Sequence, residues 1–200
     1  MTKQQLQNNL TFLLLIFLSF SCQKNEPKHP EDNSEKVRSA VNIELNRLKS
    51  NADKNEYLEF IYDTDQGIRS EIYKDLVWIY GENSKEKTYH SLLMNSLDDL
   101  NYVRIENYLE RFGHPEKENF SDKAVNAAWV VIHHTTDLSK RKKHLQTLYQ
   151  AYQKENLSAD RLDLYLRRTY NAAFGNFPTS EGSYQIEDAI EKMMRELSAN

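Results

Sequence analysis

The chain has 200 residues, with 26 Lys and Arg against 30 Asp and Glu, 5 Gly, 4 Pro and 1 Cys. That length holds one domain with a core of its own, and so few Gly and Pro favour long helices over a many-stranded sandwich or barrel. Collagen-like, disulfide-stapled and low-complexity classes are excluded, and a formal charge of −4 lacks the basic footprint of a nucleic-acid binder.

The first predicted element is a leader. Lys3 precedes the apolar run Leu10–Phe20, whose 11 residues are about half of what a helix needs to span a bilayer, so residues 1–21 read as a secretory signal peptide. The following Leu18-Ser19-Phe20-Ser21-Cys22 resembles the cleavage site of bacterial lipoproteins, in which the cysteine becomes the lipid-modified first residue. An ordinary small-x-small site at Ser19-Phe20-Ser21 is the alternative and would leave Cys22 as a free thiol; lipidation gives the sole cysteine a use. Gln23-Lys24-Asn25-Glu26 resembles the signal that sends some lipoproteins to the outer face of the outer membrane. The expected location is the cell envelope, with a lipid anchor at Cys22 in the outer membrane and the domain surface-exposed. Removing residues 1–21 takes away Lys3 and no acid, so −4 becomes −5. Attachment to the membrane would then rest on the lipid and not on a polybasic patch.

Residues 22–34 carry the anchor cysteine and a polar, proline-containing tether that buries too little to fold. From residue 35 to the end the 3.6-residue period dominates and predicts an all-α domain, an irregular bundle of about six to seven helices around a buried central helix at about 121–135. Val37, Val41, Leu45 and Leu48 mark the first helix. Leu58, Ile61, Tyr62, Ile68, Ile72, Leu76 and Ile79 mark a long second one ending at Gly81. Ser84 caps a third, carrying Leu92, Leu93, Leu97, Leu100, Ile105 and Leu109 and stopped by Gly113 and Pro115. Ser121 caps the central helix, whose stretch Ala124–Ile132 is apolar nearly all round, with small alanines for close approach and Trp129 to fill a larger gap. Ser139 caps a helix to about Lys154 and Ser158 one to about Ala173. A loop over 174–183 precedes a last helix from about Tyr184 to Leu197.

Polar residues in apolar places mark the candidate site. His133 and His134 close the central helix with Asp137 just beyond, a spacing that suits a general base with an orienting carboxylate or ligands for a divalent metal. The plainer alternative satisfies the imidazoles at the helix end and gives Asp137 to the next turn. Asp65 falls on the apolar stripe of the second helix, with Gln66 beside it and Arg69 at i+4 to pair with it. Asp160 suits the first turn of its helix, whereas Arg161 opposes the dipole there and seeks a carboxylate or an anionic ligand. The run Lys140-Arg141-Lys142-Lys143-His144 reads as a solvated face, with phosphate or an acidic partner as the minor alternative. No phosphate loop, nucleophile elbow or zinc-type Cys and His spacing is present in the sequence.

In chain order, Asp65-Gln66-x-x-Arg69, Leu109-x-x-Phe112-Gly113-His114-Pro115, Ala127-Ala128-Trp129-Val130-Val131-Ile132-His133-His134-x-x-Asp137, Asp160-Arg161 and Ile186-Glu187-Asp188 resemble the bacterial family called domain of unknown function 6624. His114 stands where that family usually has Trp, and His133 where it has Gln. The resemblance implies that Asp65, Gln66, Arg69, His134, Asp160 and Arg161 converge across the helices; it carries no established activity. The expectation is a module that binds a protein or small-molecule partner near His134, without a cofactor. The competing expectation is a hydrolase-like enzyme using His133 or His134 with Asp137 or Asp65, with a divalent metal as a minor variant.

Overall fold

A computed structural model describes residues 30–69, 71–178 and 185–199, without side-chain detail at 30–33 and 71–74. The predicted leader, Cys22, the tether up to 29, the Ile72 side chain and the segment 179–184 lie outside the described residues. The chain divides into a first unit, Met1–Lys36, and a second, Val37–Asn200.

The described residues form nine α-helices and no strand: α1 (Pro30–Asn46), α2 (Asn51–Ile68), α3 (Glu71–Tyr80), α4 (Lys85–Phe112), α5 (Asp122–His134), α6 (Leu138–Lys143), α7 (Leu145–Gln153), α8 (Ala159–Phe174) and α9 (Ile186–Ala199). The architecture is the all-α bundle that the periodicity predicts. The helix count rises because two predicted helices break. The long second helix stops at Ile68, where Arg69 leaves helical backbone and its N–H folds back on the Gln66 and Gly67 carbonyls. The helix predicted after Ser139 stops at His144, whose N–H closes on the Arg141 and Lys142 carbonyls before α7 restarts. α1 also begins at Pro30, ahead of its first apolar position.

Local chemistry explains most of the ends. Ser50 and Asp53 form a reciprocal capping box on α2, and Ser84, Ser121 and Ser158 each accept the backbone N–H three residues on, at the starts of α4, α5 and α8. α6 differs from expectation: Asp137, not Ser139, is its cap, accepting from the N–H groups of Ser139 and Lys140. Gly113 and Gly175 end α4 and α8 with φ of 75°, a backbone that strains any residue with a Cβ.

α5 lies in the middle, with Ala124, Val125, Asn126, Ala127, Ala128, Val130, Val131 and Ile132 all buried. α2, α4, α6 and α8 pack around it, and the alanines let the α2 backbone come close. α9 closes α8 with Ile190, Met193 and Leu197, buried at i, i+3 and i+7. Several expected core residues are not fully buried. Trp129 is only half-buried, because it lies along the surface of α5 against the start of α8. Ile79 and Leu92 are exposed, because α3 and the first turns of α4 pack on each other and lean on little else.

Candidate functional site

Asp65 is the deepest charge of the site, with its carboxylate fully shielded on the inner face of α2. It is held from three sides. Gln66 Nε2 donates to Oδ2 at 2.8 Å, Arg69 Nη1 to Oδ1 at 3.1 Å, and the His134 imidazole lies with Nδ1 2.9 Å from Oδ2. A carboxylate accepts, so Nδ1 is the nitrogen that carries the proton in this contact. His134 Nε2 then faces outward: it has no hydrogen bond to any described residue, and the side chain is 19% exposed.

Arg69 links the cluster to a residue that the sequence did not single out. Its Nη1 also donates to the Asp65 carbonyl at 2.9 Å, while Nη2 reaches both carboxylate oxygens of Asp98 on α4 at 2.5 Å. Asp98 sits 29 positions away beside the exposed Asp99, and only the fold shows that one acid of the pair faces the core. The buried anion is thus compensated by a guanidinium that a second anion steadies, which meets the requirement for burying a charge.

His133, the neighbouring imidazole, has a different environment. Its ring stacks on Trp129 at 5.3 Å and meets His134 edge-on at 5.7 Å. Burial first, and then the positive charges of Arg141 and Arg168, push its pKa down to about 4, so it is a neutral side chain at physiological pH. Its Nδ1 is buried without a hydrogen-bond partner among the described residues. Trp129 passes the contact on: its Nε1 donates to the Arg161 carbonyl at 2.7 Å, and the Arg161 guanidinium lies 5.7 Å over the indole. Arg161 therefore reaches the site through the Trp129–His133 stack rather than through Asp65. Asp160 is exposed in the first turn of α8.

Asp137 is committed elsewhere. Its Oδ1 accepts from the Ser139 N–H at 2.8 Å, the Ser139 hydroxyl at 2.8 Å and the Lys140 N–H at 3.2 Å, and these bonds lower its pKa. Neither imidazole is among its hydrogen-bond partners. The structure realises its plainer role as the cap of the next turn.

The basic run also departs from expectation, since Arg141 and His144 are buried. Arg141 donates from Nη1 to the carbonyls of His133 and Thr135, at 2.7 and 3.1 Å, and more distantly to that of Ile132. Its Nη2 donates to the Tyr165 carbonyl and its Nε to the Thr169 hydroxyl, both at 2.9 Å. No carboxylate of a described residue joins these contacts. The cation is offset by the negative end of α5, whose last carbonyls have no partner within the helix. Burial brings the Arg141 pKa down to about 10, so the group stays charged.

A second polar region lies between α1, α4 and α6, where Arg38, Tyr102, Glu106, Asp137, Lys140 and Lys143 line an open cavity of about 300 Å³. Glu106 is nearly buried and takes hydrogen bonds from Arg38 at 2.6 Å and Lys143 at 2.9 Å. The Tyr102 hydroxyl lies 3.3 Å from Glu106 and 3.2 Å from His144 Nε2. Among the described residues no three His, Cys, Asp or Glu side chains come together as a metal site would require. The chain matches no protein-family model, no curated protein and no solved structure.

Proposed function

We propose that this chain is an exported lipoprotein, anchored through Cys22 in the outer membrane of the cell envelope, whose helical domain binds a small ligand or partner at the His134 rim. We include in the proposal its relationship to the family called domain of unknown function 6624, whose resemblance implied that Asp65, Gln66, Arg69, His134, Asp160 and Arg161 converge; Gln66, Arg69 and His134 are hydrogen-bond partners of Asp65, whereas Asp160 and Arg161 are not. One observation carries the binding reading. Asp65 spends both oxygens on fixing Gln66, Arg69 and His134 Nδ1, and this leaves His134 Nε2 as an outward acceptor with no protein partner among the described residues. Such a nitrogen suits a hydroxyl or amine of a ligand, and the neighbouring His133 ring carries the contact on to Trp129.

The test is ligand-observed NMR on the mature protein with hydroxyl- and amine-bearing envelope compounds, sugars, amino alcohols and muropeptides, beside His134→Ala. Binding that disappears in His134→Ala supports the reading. Compounds that bind both proteins equally place recognition elsewhere.

The same contact favours a second reading, a hydrolase-like enzyme. A buried carboxylate on Nδ1 and an accessible Nε2 is the arrangement of a general base that would take a proton from water. In that case turnover of a hydrolysable substrate falls about 100-fold or more in His134→Ala and strongly in Asp65→Asn. Turnover that survives both changes excludes the dyad.

A further inference from the structure

Two cations on α8 lack an anion. Arg161 and Arg168 are exposed, and neither guanidinium makes a hydrogen bond or ion pair with any described residue. Their spacing along the helix leaves them within about 20° of one another around its axis and about 10 Å apart along it, so both belong to one face. The acids of the same helix do not offset them. Asp163 is held by Arg167 at 3.0 Å, and Asp160 lies roughly 80–100° around the axis from both arginines.

That face adjoins the end of α5. The Arg161 guanidinium lies 5.7 Å over the Trp129 ring, Trp129 stacks on His133, and His133 meets His134 edge-on. Arg168 directly precedes Thr169, whose hydroxyl accepts from Arg141 Nε, and Arg141 Nη1 in turn holds the His133 carbonyl. The charge of Arg168 is felt there: after burial, Arg141 and Arg168 are what lower the His133 pKa. Asp65 opposes them, but Arg69 already compensates it, and Arg141 is met by carbonyls. The uncompensated charge beside the rim is therefore that of the two α8 arginines.

We infer that Arg161 and Arg168 form an oxyanion subsite of the His134 rim, so that the ligand is a hydroxyl compound carrying a phosphate or carboxylate group. Guanidinium forks match both groups in bidentate fashion, and these two keep their N–H donors for such a partner. Arg161 in a first turn is opposed by the helix dipole, and a bound anion relieves that repulsion. The same positive field disfavours an amine, so of the two ligand groups that Nε2 accepts the hydroxyl remains. The inference rests on the His134 binding reading and narrows its ligand, and the experiment separates the two.

The mature protein is titrated by calorimetry with glucose, glucose 6-phosphate and glucuronate, beside His134→Ala and a double variant, Arg161→Gln with Arg168→Gln. Both arginines are exposed, so the double variant keeps its core. A charged sugar is expected to bind about 10-fold more tightly than glucose, to lose that advantage in the double variant and to weaken as salt rises. Whichever charged sugar binds more tightly names the oxyanion, and inorganic phosphate should compete with it but not with glucose. His134→Ala is expected to weaken all three sugars alike. Equal affinity for charged and neutral sugars, lost in His134→Ala, overturns the inference and keeps the His134 reading. Charged-sugar binding that the double variant retains also overturns it. Charged-sugar binding lost in the double variant but kept in His134→Ala supports the subsite and removes the His134 reading, and no binding of any of the three at millimolar concentration overturns both.

Discussion

Two charges are buried at the C-terminal end of α5, and the protein treats them in opposite ways. Arg141 is enclosed by oxygen acceptors: carbonyls of α5 and α8 and the Thr169 hydroxyl use its Nε, Nη1 and Nη2. Asp65 is enclosed by donors, but one of them, His134, has a second nitrogen that no described residue engages. The contrast separates a polar cluster that only holds helices together from one that presents a group to solvent. The proposal of a site rests on that open valence and not on burial.

The largest effect is expected on the closed side. Arg141→Met should lower stability by about 3–5 kcal/mol in urea unfolding, because it strands several buried carbonyls at once. Arg141→Lys should recover less than half of that loss, since one ammonium cannot span acceptors on α5 and α8. A cost below about 1 kcal/mol for Arg141→Met would erase the difference between the two clusters.

On the open side the two partners should behave unequally. Asp65→Ala is expected to cost about 2–4 kcal/mol, as it leaves Arg69 and His134 without their shared anion. His134→Ala should cost only about 1 kcal/mol, because Gln66 and Arg69 still satisfy the carboxylate, yet it should abolish ligand binding. Equal stability losses for both would make His134 a structural residue like Arg141.

Acid should reveal the neutral histidines. Burial lowers the pKa of both His114 and His133 to about 4. Below the unfolded value of about 6.5 the unfolded chain binds protons that these folded residues refuse, so stability is full above that pH and falls towards pH 4. Allowing for the exposed edge of His133, thermal melts should show a loss of about 2 kcal/mol between pH 7 and pH 5. Replacing His133 by Asn should flatten part of that slope. The smallest effect belongs to Asp137→Ala, about 1 kcal/mol from a lost helix cap, with binding at His134 unchanged.

The periodicity made the helices and the central position of α5 legible, and the local i, i+4 relation made Asp65 and Arg69 legible as a pair. Asp98 was not, since its inward direction depends on how α4 lies against Arg69. Arg141 was hidden inside a basic run, because its acceptors are backbone carbonyls, which leave no mark on residue identity. His144 was hidden by the same run and by the break between α6 and α7, which turns it toward Tyr102. Ile79 and Leu92 carried the right spacing for a core face, but a stripe states only that a helix has an apolar side and not that another helix covers it.

The carbonyls that Arg141 grips belong to Ile132, His133 and Thr135, the backbone on either side of His134. The loop leaving α5 is therefore already fixed from behind, and Asp65 fixes the imidazole from the side. A molecule arriving at Nε2 would have little main-chain or rotamer freedom left to freeze, so the entropic penalty of association would fall mainly on the ligand.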